Sequence, residues 1–289
     1  MDYVLHLLTI IALYVGLTVS LDLLIGHTGI LSFAHAAFYG IGAYATAILT
    51  VYAGWNWFPA MISACLIGVA LSALIAVPIL RLGGDYFILA LFGIQLIIIT
   101  LIWNLEPLTN GPYGIRGIPR PSFGTGPLAS GLPILIFIAV LAAVVVAICW
   151  GFVSSPMRAV LHAIRHDEAV ALALGINVVR TKVLVFSAAG GMAALIGAAT
   201  AFYLRFVDAG SFGIPTMISL WAMVFIGGTR TILGAIVGPV VLLLFPELFR
   251  FLGPHSWDLA RVQEAFYGLL LVLLMIYRPQ GLMGRKEKE

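Results

Sequence analysis

An all-α, polytopic integral membrane protein is the fold class this sequence predicts, and three observations predict it. Hydrophobic residues fill 62% of the 289 positions and charged residues 9%, against roughly 25% charged in a soluble domain; the mean hydropathy is +1.11. Apolar runs of about 20 residues, the length that crosses a hydrocarbon core, recur along the chain. One well-charged segment, Ser155–Lys182, interrupts them, and charge of that density must lie outside the bilayer. A soluble globular protein is thereby excluded. The pI near 9.0 does not point to nucleic acid, because the basic residues are scattered between apolar runs and form no stripe. Residues 1–289 read as a single transmembrane domain, with the charged segment at 155–182 and a long loop at 105–131.

Nine spans are expected, within a range of eight to ten. Met1-Asp2-Tyr3 has neither the basic stretch nor the small-residue cleavage site of a signal peptide, so Val4–Ile25 reads as a retained first span. Gly26-His27-Thr28-Gly29-Ile30-Leu31-Ser32-Phe33-Ala34-His35 joins it to the second span, Ala34–Tyr52, with barely a loop. Two readings of this join stand. It is a broken helix or re-entrant segment, which survives at membrane depth only when buried in protein or lining a wet cavity, or it is a tight Gly-rich cytoplasmic turn. Ala60–Leu80 and Phe87–Trp103 follow, then Leu105–Gly131, the longest loop and long enough to be functional. Leu132–Val153 is the fifth span. The charged segment then reads from Met157 to Gly175 as one amphipathic helix. Val160, Leu161, Ile164 and Val170 fall near one face, and Arg158, Arg165, His166 and Asp167 cover much of the rest. Such a helix between two spans suits docking to a cytoplasmic partner. Val183–Tyr203 carries small residues at Ser187–Ala194 and Gly197–Ala199, which let helix backbones approach closely; lining a pathway is the second role open to them. Ile214–Gly227 is short, Ile232–Leu252 is ordinary, and Leu259–Tyr277 opens with Arg261, Gln263 and Glu264 before turning apolar.

Lys and Arg set the orientation. With Ser154–Lys182 cytoplasmic, ten of the 15 basic residues fall on that side, the tail Arg285-Lys286-Glu287-Lys288 included; Arg116, Arg120, Arg205, Arg250 and Arg261 fall on the other. The amino terminus is therefore expected outside and the carboxyl terminus inside. The halves also echo each other. Thr28-Gly29-Ile30-Leu31-Ser32-Phe33 after the first span resembles Ala209-Gly210-Ser211-Phe212 after the sixth, and the segments Pro78–Asp85 and Pro246–Pro254 end spans three and eight. Spans one to four and six to nine run oppositely, as an inverted repeat requires, although matches this short also arise by chance.

The chain holds no Gly-x-x-x-x-Gly-Lys-Ser/Thr, so ATP-driven work needs a partner subunit. No His-Glu-x-x-His, Gly-x-Ser-x-Gly or Cys-x-x-Cys occurs, and no catalytic residue is assigned. Cys65 and Cys149 lie in apolar runs and suggest neither a disulfide nor a metal. His162 and His166 have metal-compatible helical spacing but lack an evident third ligand, so a solvated face is the better reading. Asp22 and Glu247 are candidates for proton coupling; their nearness to span ends favours hydrated or capped roles. Thr28, Ser32, Phe33 and His35 are the candidate pathway residues. The amides of a broken helix attract a carboxylate, the two hydroxyls bond without buried charge, and Phe33 supplies apolar closure. Alternatively, they only satisfy and pack the break. An ion-driven secondary transporter and a channel stay open as rivals at this point.

From Leu23 through Gly26-His27-Thr28-Gly29-Ile30-Leu31-Ser32-Phe33-Ala34-His35 to Tyr44, the sequence resembles the signature of LivM-type permeases, the membrane subunits of branched-chain amino acid ABC importers. The resemblance continues at Leu80–Phe87, at Thr109-Asn110-Gly111-Pro112-Tyr113-Gly114-Ile115, at Ala163–Ala169 with Leu174-Gly175-Ile176-Asn177, at Gly227–Pro239 and at Tyr277–Leu282. It covers nearly the whole chain. It implies a transmembrane permease domain that pairs with a LivH-type permease. Two ABC ATPase subunits would bind ATP and magnesium, and an extracytoplasmic binding protein would deliver substrate, in a bacterial or archaeal cell membrane, the inner one of a Gram-negative cell. By this analogy the segment holding Arg158, Arg165, Asp167, Glu168, Ala169 and Gly175 couples to the ATPases. The implied cargo is a branched-chain or other neutral amino acid, with urea or short amides as the alternative. His166, Asn110 and Tyr113 depart from the usual family residues.

Overall fold

The computed structural model describes residues 2–82, 85–122, 126–128, 130–252 and 281–283, without the side chains of 2, 85 and 245–252. Its helices are α1 (Asp2–Asp22), α2 (His35–Val51), α3 (Trp57–Ile79), α4 (Asp85–Asn104), α5 (Glu106–Thr109), α6 (Leu132–Ser154), α7 (Met157–His166), α8 (Glu168–Ala173), α9 (Val178–Leu204), α10 (Ile214–Gly227) and α11 (Ile232–Leu252). Among the described residues six segments are long and apolar enough to cross a membrane, and His35–Val51 and Ile232–Leu244 are shorter apolar helices. The first eight expected spans thus correspond to helices, and Leu259–Tyr277 lies outside the described residues. At 17 residues, α2 rises only about 26 Å, and α10, at 14 residues, about 21 Å. Each falls short of a bilayer core of about 30 Å, and each comes after a break in regular structure.

α9 runs through the middle, packed most densely on α3 and α2 and also on α1 and α6. The small residues of α9 explain why. A Cβ at Gly197 would lie 2.0 Å from Tyr39 O, and one at Gly42 of α2 would lie 2.0 Å from Ala194 O. The two backbones touch, and only glycine fits at the seam. Close packing is therefore the observed role of this small-residue face. α4 and α6 present Leu89, Leu101, Ile136 and Val140 outward. Apolar faces of that extent are tolerated when lipid is the solvent.

The amphipathic segment departs from expectation. It is not one helix over Met157–Gly175, because Asp167 leaves helical geometry (φ −157°, ψ 112°) and its carboxylate accepts from the amides of Ala169 and Val170 at 2.8 and 3.1 Å. An Asp at that position competes with continuation by capping the next helix. The break rotates α8 relative to α7. Leu161 and Ile164 are buried as expected, but Val170 is 53% exposed and Ala171 takes its place against Ile164 and Val178. Gly175 then closes α8 with φ +81°, the left-handed conformation glycine tolerates.

The long loop is also more ordered than its sequence suggested. Ile115–Arg116 forms a strand, β1, antiparallel to β2 (Phe206–Val207). This two-residue ladder is a small exception to the all-α pattern. It ties the 105–131 loop to the α9–α10 connection.

Candidate functional site

The first break begins inside the first span. Instead of ending near Ile25, α1 passes into a wider π-helical turn, Leu23–Thr28, and stops at Gly29 (φ 73°), whose amide bonds Leu24 O. Ile30 N reaches the same carbonyl at 3.0 Å. The carbonyls of Ile25 and Gly26 accept from the Arg165 guanidinium of α7. Residues 29–34 then run without regular structure into α2. This is the broken helix of the two sequence readings, buried in protein: Thr28, Ile30, Ser32, Ala34 and His35 are all nearly inaccessible.

Each predicted pathway residue has a defined place. Thr28 Oγ1 bonds Leu24 O at 2.6 Å. His35 Nε2 lies 2.9 Å from Ser20 Oγ. The Ser20 hydroxyl already donates to Leu17 O at 2.8 Å, so it accepts here and the proton sits on Nε2. His35 Nδ1 and Ser32 Oγ are buried and have no hydrogen-bond partner among the described residues. Phe33 packs at a tilt on Trp221 of α10 with centroids 4.3 Å apart and meets Phe92 of α4 edge-on at 6.1 Å. Trp221 Nε1 also donates to Ser32 O at 3.2 Å.

A second break precedes α10. Ala209–Phe212 forms a short 3₁₀ turn capped by Asp208, which accepts from Ser211 N at 3.0 Å and Ser211 Oγ at 2.6 Å. Phe212 packs on Tyr39 of α2 at 4.8 Å. The Phe that ends each break thus rests on the helix launched by the other, and the faint sequence echo corresponds to a reciprocal contact. Gln95 of α4, fully buried, lies between the breaks. Its Oε1 accepts from Ala37 N at 2.7 Å and its Nε2 donates to Phe212 O at 2.9 Å. Sequence reasoning missed Gln95. The signal was a lone amide near the centre of Phe87–Trp103.

Two cavities flank these breaks. One of about 250 Å³ lies at the α7–α8 end, lined by Thr28–Leu31, Leu80, Leu82, Phe87, Ile88, Ile164, Arg165, Glu168 and Lys182. It brings the pathway candidate Thr28 together with the coupling candidates Arg165 and Glu168. The other, of about 390 Å³, lies at the opposite end, between Ile10, Leu13, Tyr14, Tyr39, Thr200, Asp208, Ser211, Phe212, Thr216 and Leu243, among others. Along α9, Lys182 of the first cavity and Thr200 of the second are separated by about 27 Å of helix rise. Tyr39 OH donates to Thr200 Oγ1 at 3.0 Å at the edge of the larger cavity. Among the described residues Asp208 is its one carboxylate, set among hydroxyls and apolar side chains.

The coupling candidates divide into two groups. Arg158, Asp167, Glu168, Ala169 and Gly175 are exposed. Arg165 is turned inward onto the first break, and Glu168 pairs with Lys182. Val170, Leu172 and Leu174 are more than half exposed beside them, an apolar patch the single-helix reading concealed. Asp22 is buried, with Oδ1 accepting from Arg230 N at 3.1 Å and Oδ2 3.8 Å from His27 Nε2. It caps the α10–α11 turn, which fits the capped role. Glu247 lies outside the described side chains. The His162 and His166 rings are 4.4 Å apart, and among the described residues no group of three metal-ligating side chains exists.

The profile of the branched-chain amino acid transport system / permease component family matches residues 3–276. The chain is 29% identical to the high-affinity branched-chain amino acid transport system permease protein LivM of Salmonella typhimurium over 298 aligned residues, covering 95% of this chain and 68% of that one. It is 28% identical to the Escherichia coli protein of the same name with the same coverage. It is 22% identical over 238 residues to a probable branched-chain amino acid transport permease protein LivM of Methanocaldococcus jannaschii, covering 78% of this chain and 68% of that protein. No solved structure matches the chain.

Proposed function

The chain belongs to the branched-chain amino acid transport permease family, and on that premise we propose that it is the transmembrane permease subunit of an ATP-binding-cassette importer that carries branched-chain or other neutral amino acids inward. One observation carries the reading. Two cavities at opposite ends of the bundle are separated by a closed layer built on two helix breaks, each ending in a Phe lodged against a neighbouring helix. That is an occluded arrangement of a transport path, with breaks placed where backbone can move. The reciprocal packing of the breaks supports an inverted repeat.

The larger cavity suits a zwitterion with an aliphatic side chain. Asp208 faces an ammonium, the hydroxyls of Ser211, Thr216 and Tyr39 offer neutral bonds, and Ile10, Leu13 and Leu243 meet the hydrocarbon. On the inner side, the first turn of α2 supplies a positive helix end, and beside it Ser32 Oγ and His35 Nδ1 are buried with no partner among the described residues. Buried polar atoms ordinarily hold a hydrogen bond, and in this reading water or passing substrate supplies it. In this reading the α7–α8 end is cytoplasmic and the amino terminus is outside. The α7–α8 surface, with Val170, Leu172 and Leu174 among the exposed charges, receives an ATPase subunit that binds ATP and magnesium. A LivH-type permease and an extracytoplasmic binding protein complete the importer, and this subunit contributes no hydrolytic site.

Proteoliposomes holding the four membrane-associated subunits test this. Uptake of labelled leucine should require both ATP inside and binding protein outside. Uptake of urea instead of leucine would transfer the reading to the amide alternative. Uptake by this chain alone, driven by an ion gradient, would overturn it.

A further inference from the structure

The buried amide of Gln95 is unlike anything else in α4. Its hydrogen bonds leave no freedom of assignment. Ala37 N can only donate, so it must face Oε1, and Phe212 O can only accept, so it must face Nε2. Ala37 N shares its hydrogen with Ala34 O at 3.1 Å, and the bond to Gln95 is the shorter. One side chain therefore joins the opening turn of α2, the helix launched by the first break, to the backbone of the second break. A side chain that bonds two backbone segments fixes their relative position more tightly than apolar packing does, since hydrogen bonds are directional.

The chain of contacts extends both ways. Toward the α7–α8 end, Arg165 holds the carbonyls of Ile25 and Gly26 at the start of the first break. Toward the other end, Phe212 lines the larger cavity and packs on Tyr39. We propose that Gln95 is a positioning residue of the transport cycle, which makes the two helix breaks move together so that displacement of α7 reaches the floor of the larger cavity. This rests on the permease reading above. It adds a specific mechanical link at Gln95, which lies outside the α7–α8 surface and lines neither of the two cavities. A fold that merely needed α4 packed against α2 would be served by Leu or Met, which cost nothing to bury in an apolar helix.

Gln95→Met keeps volume and removes both bonds. Cysteine at Ser211, on the larger cavity, reports the second break by its labelling rate in membranes holding the whole importer. In the otherwise unaltered importer the rate should differ between the nucleotide-free state and the state trapped with ATP in a hydrolysis-deficient ATPase; a flat response there would count against the permease reading itself. With that response in hand, Q95M should abolish it and lower uptake per ATP hydrolysed by about tenfold, within the usual range of coupling between sites, while subunit assembly and unstimulated hydrolysis stay unchanged. Labelling that tracks nucleotide in Q95M as it does in the parent would overturn the proposal. So would failure of the importer to assemble with both Q95M and the shorter Q95N, because the role would then be structural.

Discussion

Gly197→Ala places a methyl group where the α2–α9 seam has none to spare. The added Cβ would lie 2.0 Å from Tyr39 O and 2.9 Å from Ala43 N, whereas real Cβ contacts essentially never fall below 3.0 Å. Both obstacles are backbone, so no side chain can rotate away. The helices must separate by about 1 Å. A gap of that size forfeits a quarter to a half of each van der Waals contact of about 0.1–0.2 kcal/mol, and for about 40 such contacts, the number one buried side chain makes, the loss is about 1–4 kcal/mol, in line with overpacking in other cores. Because the displaced carbonyl belongs to Tyr39, the hydrogen bond to Thr200 and the wall of the larger cavity shift as well. Heating detergent-purified G197A and following its aggregation should show a clearly lowered midpoint, with reduced uptake. Gly151→Ala is the control, since nothing lies within 4 Å of its Cβ, and alanine in a helix is favoured over glycine by about 1 kcal/mol. If G197A melts with G151A and transports normally, the direct backbone contact does not exist.

Reversing charge at both Asp167 and Glu168 should uncouple transport from hydrolysis while membrane insertion stays intact, because both are exposed and Glu168 also loses Lys182; unimpaired uptake would remove them from the ATPase contact. Cysteines introduced at Ser122 and Ser154, both exposed, should react with impermeant maleimide from opposite sides of the membrane, and reaction from one side would overturn the proposed topology. Ser32→Leu should block uptake without preventing assembly or ATP hydrolysis, since Ser32 Oγ is buried in the closed layer with no partner among the described residues. Loss of assembly would instead mean that Ser32 only packs the break.

Apolar run length was enough to place the helices, since crossing hydrocarbon demands length and little else. Ile214–Gly227 emerged with the same ends, and Ala34–Tyr52 moved by one residue at each end. Local competition was harder to read. Asp167 lies in a segment whose periodicity argues for continuity, yet one carboxylate capping two amides breaks the helix and carries Val170 to the surface. The π-helical turn at Leu23–Thr28 depends on Arg165, far away in sequence, to satisfy its carbonyls. The candidate pathway residues were legible because glycines and hydroxyls interrupt an apolar stretch. Gln95 was not, because a single amide inside a span looks the same whether it meets water, another subunit or two backbones. The larger cavity was equally hidden. Its lining comes from α1, α2, α9, α10, α11 and β2, and no local pattern announces residues that only the tertiary fold assembles.

The Arg165 contact imposes an order on biogenesis. In an ordinary helix the final carbonyls are satisfied by capping residues only a few positions onward, so a span can finish as soon as it leaves the ribosome. Here the donor for Gly26 O is 139 residues downstream. The first span can insert early, but its end waits unfinished while α2 to α6 are synthesised. It closes only when α7 emerges and docks. A chain truncated anywhere before Arg165 lacks the guanidinium from which the Ile25 and Gly26 carbonyls accept in the finished fold.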